Sequence, residues 1–193
     1  MTTPAALSRD LEAVGVDGDL WGLVNSKARY RAAVPVLLDW LRHVDERVPE
    51  PDLGKVREGL VRALTVPEAR PVAAPELIRQ FQEVDELTVR WAIGNALSVV
   101  YDDSVFDQLE PLVREPRFGQ GRQMLVHGLG RSRHPRAPGL LVELLSDDDV
   151  AAHALTALTK LKPPGVRGAV EPLLDHPRPL VRKNAKKALE KLP

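Results

Sequence analysis

Residues 179–192 read PLVRKNAKKALEKL, and the apolar or small side chains fall at Val181, Ala185, Ala188, Leu189 and Leu192. That spacing is the stripe of an amphipathic helix with one buried face, and Arg182, Lys183, Lys186 and Lys187 lie off it. The same frame fits four earlier segments: Val56, Leu60, Ala63, Leu64; Val89, Ile93, Ala96, Leu97; Gly121, Leu125, Gly128, Leu129; and Val150, Ala154, Ala157, Leu158. The five anchors are 33, 32, 29 and 31 residues apart. A recurrence of this length marks stacked helical hairpins, in which no unit can bury its apolar face alone. Each of these helices is preceded by another apolar segment with a proline, around Pro35, Pro75, Pro111, Pro138 and Pro172. The pattern predicts an all-α chain.

The residue after each anchor is Arg57, Arg90, Arg122, Ala151 or Arg182, and the one seven after it is always Ala or Gly, followed by Leu. A helix with an early proline, a short turn often carrying Asp, and then Val-Arg-x-x-Ala-x-x-Ala-Leu resembles the HEAT repeat, especially the short HEAT-like repeats of bacterial proteins. The resemblance covers roughly residues 30–192; AVEPLLDHPRPLVRKNAKKALEKL matches best, and the first and third repeats depart most. It implies a right-handed α-α superhelix, an α-solenoid of about five hairpins. These would be residues 29–66, 72–101, 104–132, 136–162 and 165–193 of a single domain over 29–193, behind an N-terminal helical cap over 1–28. It also implies that Arg57, Arg90, Arg122 and Arg182 form a structural ladder, each bonding to an acidic residue of an adjacent repeat.

The pattern predicts a short helix over residues 3–14, with Thr3 as N-cap and Pro4 at the first helical position. Leu20, Trp21, Leu23 and Val24 form an apolar cluster of the cap. The first repeat takes helices near 29–45 and 53–65 around a proline-rich connector, and the second 75–84 and 87–101. The third takes 104–114 and 118–131, the fourth 138–145 and 149–161. Asp147, Asp148 and Asp149 sit where a helix begins, which suits N-capping; no loop of calcium-binding spacing surrounds them. Gly119, Gly121, Gly128 and Gly130 all fall in the second helix of repeat three. Interior glycine costs about 1 kcal/mol relative to alanine, so this helix should be the least stable, with close backbone approach or flexure at its glycines.

Composition narrows the function. Hydrophobic residues make up 44% of 193, enough for a core, with only 4% aromatic. Lys plus Arg and Asp plus Glu are 27 each, so no net charge draws the chain to nucleic acid or an anionic membrane. Cysteine is absent, which removes disulfides and thiolate chemistry. No signal-peptide pattern or long apolar run is present, so the expected place is the cytoplasm, away from membranes. GQGRQM lacks the third glycine of a dinucleotide loop, and no Walker loop, G-x-S-x-G or H-E-x-x-H occurs. The five histidines stand seven or more residues apart, so no metal or other cofactor is expected.

What remains is binding. Two and six residues past the anchors come Trp91 and Asn95, Gln123 and His127, and Ala152 and Thr156, off the buried stripe. The resemblance implies that the second helices line the inner curve, so Trp91, Asn95, Gln123, His127 and Thr156 are the candidate binding residues. Trp91 reads either as a binding anchor or as packing against the next repeat. The lysines of repeat five read as a solvated C-terminal cap. The expected function is a non-enzymatic protein–protein interaction module or scaffold with a protein partner on its concave face. The resemblance also admits a DNA-binding protein similar to alkylpurine DNA glycosylases, which the neutral charge and the break at Ala151 argue against. Similarity to phycobilin lyases has no support beyond the shared repeat.

Overall fold

The computed structural model describes residues 3–193. It consists of thirteen α-helices and six short 3-10 helices, with no strand among the described residues. None of these helices is long and apolar enough to cross a membrane. The chain divides into two compact units, residues 1–101 and 102–193.

The first unit holds α1 (Ala5–Ala13), α2 (Leu20–Asn25), α3 (Ala33–Arg42), α4 (Val44–Arg47), α5 (Leu53–Ala63), α6 (Ala74–Glu83) and α7 (Leu87–Val100). They pack in two rows. α1 lies on α3 and α3 on α6, while α2 lies on α5 and α5 on α7. The apolar cluster near Leu20 is therefore a helix that stacks like the second helix of a hairpin. Asp19 caps it, accepting from the amides of Trp21 (3.1 Å) and Gly22 (3.0 Å). Its contact with α5 is close enough that a Cβ on Gly59 would lie 2.7 Å from Leu20 Cδ2.

Thr3 does not cap α1, whose N-cap is Pro4 without a side-chain bond. Its hydroxyl instead donates to Asp19 Oδ1 (3.1 Å) and accepts from the Leu20 amide (2.9 Å), tying the chain start to α2. The first helix of repeat one starts later than expected, at Ala33, and breaks at His43. The core is built largely from Leu, Val and Ala, and several of the polar groups in it are paired. Tyr30 donates to the Ala63 carbonyl (2.9 Å), Trp40 Nε1 to Asp10 (2.8 Å), and buried Gln80 to the Leu41 carbonyl (3.0 Å).

The second unit holds α8 (Phe106–Arg114), α9 (Gln123–Gly128), α10 (Ala137–Glu143), α11 (Ala151–Leu161), α12 (Arg167–Val170) and α13 (Pro179–Leu189). α11 is its centre, packed between α9 and α13 and paired with α10. The helix expected over 118–131 is broken into a 3-10 segment Pro116–Arg122, the six-residue α9, and a 3-10 turn Leu129–Arg131. The glycines account for both irregular ends. Gly119 has φ 47° and ψ −133°, a conformation that side chains resist, and kinks the segment. Gly130 is a close approach: a Cβ there would stand 2.9 Å from the Cα of Ala157 on α11.

The aspartates before α11 are not its side-chain caps, since its N-cap is Val150. Asp147 Oδ1 accepts from the Asp149 amide (2.9 Å), its other oxygen holds Arg122 (2.8 Å), and Asp148 meets His176 (3.0 Å). Proline is at the second position of α6 and α10 and the third of α3, but it is the sixth residue of α8 and lies inside that helix, which follows a 3-10 turn, Asp103–Val105. The first helix of repeat five is reduced to α12 and a 3-10 turn, Glu171–Asp175, with no buried residue in the turn.

Candidate functional site

The four arginines recur at one place in the frame, and each bonds within its own hairpin. Arg90 at the start of α7 donates to the carbonyls of Phe81 (3.3 Å) and Val84, at the end of α6. Arg122 donates to the carbonyl of Val113 (3.1 Å), near the end of α8, and Arg182 to those of His176 (2.7 Å) and Pro177 (2.8 Å). These are carbonyls at or just beyond a helix end, where intrahelical donors run out and a cation also meets the negative end of the helix dipole. Arg57 pairs instead with Asp45 of α4. Arg122 joins both patterns: 1% exposed, it also meets Asp147 (2.8 Å) and Asp149 (3.8 Å) of the following hairpin. Bonds that close the arginine's own hairpin are thus seen at each of the four positions, and at Arg122 acidic partners of the following hairpin join them.

On α7 the buried stripe Val89, Ala92, Ile93, Ala96, Leu97 and Val100 faces the core. The opposite edge carries Leu87, Trp91 and Asn95 on successive turns. Leu87 is 54% and Trp91 40% exposed, while Asn95 is half-buried. An exposed Leu–Trp pair one turn apart is an unusual use of apolar surface in a chain with three tryptophans; Trp40 is buried and Trp21 half-buried.

The second unit brings Gln123, His127 and Thr156 onto neighbouring helices, and each is held by a neighbour. Gln123 Nε2 donates to the Asp149 carbonyl (3.0 Å). The Lys160 ammonium donates to His127 Nε2 (2.7 Å), which fixes that nitrogen as an acceptor, because an ammonium can only donate. Burial, then the charges of Lys160 and Arg131, push the His127 pKa below its ordinary value. Burial and Arg131 lower that of Lys160 as well. His153 on α11 is shifted down by burial and by His127, and its Nδ1 is buried without a partner. Thr156 donates to the Ala152 carbonyl (2.9 Å), and Asn184 Nδ2 reaches the same carbonyl (2.9 Å) from α13.

Between α11 and α13 lies a groove of about 250 Å³ lined by Thr156, Thr159, Lys160, Asn184, Lys187 and Lys191. Lys187 and Lys191, read from sequence as a solvated cap, here form one wall of a concavity. The signal was present: Lys160 and Lys191 continue the faces of Thr156 and Lys187 by one helical turn. A second concavity, about 400 Å³ in the first unit, is lined by Asp45, Arg57, Gln80, Glu83, Val84, Asp85, Glu86 and Val89. Arg57 Nε is buried there without a partner. Among the described residues no group of three or more His, Asp or Glu side chains is arranged to hold a metal ion. Comparison with known proteins gives no match, whether to a family model, a curated protein or a solved structure.

Proposed function

We propose that the chain is a HEAT-like α-solenoid acting as a non-enzymatic protein-interaction module, which grips a segment of a partner protein on the exposed faces of its second helices. The side-by-side packing of α2, α5 and α7 in one unit, and of α9, α11 and α13 in the other, supports the repeat reading. The observation that carries the binding reading is the exposed Leu87–Trp91 pair on α7, with Asn95 one turn further on. Burying a large aromatic at an interface contributes about 2 kcal/mol or more, and such residues dominate binding surfaces. A helix edge devoted to fold stability alone gains nothing from leaving these two side chains in water.

The test begins with a partner isolated by affinity capture and then titrated in pure form. Trp91→Ala should weaken its binding at least about tenfold, with the helical spectrum and melting temperature unchanged. Thr88→Ala, on the same exposed turn, should leave affinity within about twofold. A folded Trp91→Ala protein that binds as tightly as wild type would remove α7 from the site.

A further inference from the structure

The groove between α11 and α13 collects positive charge that the fold does not neutralise. Lys160, Lys187 and Lys191 line it, and no acidic side chain does. The ion pairs of this protein use Arg or His as the cation, and among the described residues no lysine is in one. Lys187, in the last turn of α13, and Lys191, just beyond its end, stand four residues apart and line the same wall. Lys160 comes from the opposite wall with its ammonium positioned by His127. The remaining polar groups are already directed: the hydroxyls of Thr156 and Thr159 donate to carbonyls of their own helix (2.9 and 2.7 Å), and the Asn184 amide nitrogen is bound to α11. Charge recognition in the groove is left to three ammonium groups.

We propose that this groove docks an acidic segment of the partner protein, an extended stretch whose Asp or Glu carboxylates sit among Lys160, Lys187 and Lys191. The proposal rests on the reading of the chain as a protein-interaction module and names the chemistry of the partner. Ammonium groups on flexible stems act as point charges and accept carboxylates in varied geometry. The groove also fits a peptide better than a nucleic-acid duplex. A duplex needs cations repeated along its phosphates, whereas these lysines are confined to one concavity, and the neighbouring face of α9 presents Gln123 and His127. Chain charge agrees, since six of the eight lysines lie in the second unit.

The experiment is fluorescence anisotropy of a fluorescein-labelled hexaglutamate peptide with the full-length protein, beside a labelled duplex DNA and inorganic phosphate as competitor. Hexaglutamate should bind saturably and weaken at least about fivefold between about 50 and about 300 mM salt. The double variant Lys187→Gln/Lys191→Gln should lose about tenfold in affinity, and Lys160→Gln alone should lose about threefold. The control Lys183→Gln/Lys186→Gln, which removes two lysines of the same helix outside the groove, should change it by less than about twofold. Absence of saturable hexaglutamate binding overturns the proposal, as does an equal loss in both double variants, which would mark unspecific attraction to a basic helix. Duplex DNA bound more tightly than the peptide, or displacement by phosphate at equal charge, overturns the carboxylate assignment. If hexaglutamate fails while the captured partner still requires Trp91, the module reading stands and this inference alone falls.

Discussion

His153 shows how one side chain can carry a cost of folding that pH makes visible. It sits on the central helix of its unit with Nδ1 buried and unpartnered, and burial and His127 hold its pKa below the ordinary 6.5. A base whose folded pKa lies below its unfolded value binds fewer protons when folded. Its contribution is therefore fully present above about pH 6.5, where the ring is neutral in both states. It is lost as pH falls from there toward the folded value. His127 is shifted in the same direction, and its protonation would also place a second cation against Lys160. Urea midpoints at pH 7.5 and 5.5 should fall for wild type by more than for His153→Gln, which keeps a polar group without titrating. An equal fall in both proteins would show that His153 is as easily protonated folded as unfolded.

The elements differ in how well their sequence foretold them. α7, α11 and α13 follow the stripe closely, because a long apolar period leaves one way to bury it. The second helix of repeat three fits the same frame yet breaks, since Gly119 permits a positive φ and Gly130 lets the chain press against α11. Only its glycine content hinted at that. α2 was legible as apolar but not as a helix, the clue being Asp19 ahead of the cluster. The arginines were visible as a series, while their partners were not, because backbone carbonyls at helix ends leave no mark in a sequence. The same reasoning separates two glycines that a propensity scale would treat alike. Gly130→Ala should destabilise by about 1–3 kcal/mol, since its methyl group would meet backbone rather than a movable side chain. Gly139→Ala, in α10 with nothing within 4 Å of the new methyl, should stabilise by about 0.5–1 kcal/mol. Chemical denaturation gives both signs, and a stabilising Gly130→Ala would mean that the 3-10 turn Leu129–Arg131 and α11 are less closely packed than described.

At the scale of the whole chain, one repeat pattern yields hairpins of very different solidity, and the best sequence match is not the best buried. α11 has Ala151, Ala152, Ala154, Leu155, Ala157 and Leu158 all buried, and α7 buries eight residues. The segment ahead of α13, by contrast, buries only Val170 over residues 163–178. The motif there reads AVEPLLDH, as the repeat requires, but burial needs a neighbour, and pattern alone does not say which face is covered. Local opening follows the apolar contacts an element must give up, so the two kinds of hairpin should separate in native-state hydrogen exchange. Amides of α7 and α11 should exchange slowest within their units. Those of residues 116–122 should exchange faster, because 3-10 bonds and the Gly119 kink hold them, and those of 167–175 faster still. The groove lysines then sit between a rigid wall, α11, and α13, whose preceding segment opens readily. An acidic peptide that docks there should slow exchange in α13 and in residues 167–175 while leaving α7 unchanged. Protection confined to α7 under hexaglutamate would place the peptide on the other unit and break the link between the lysines and binding.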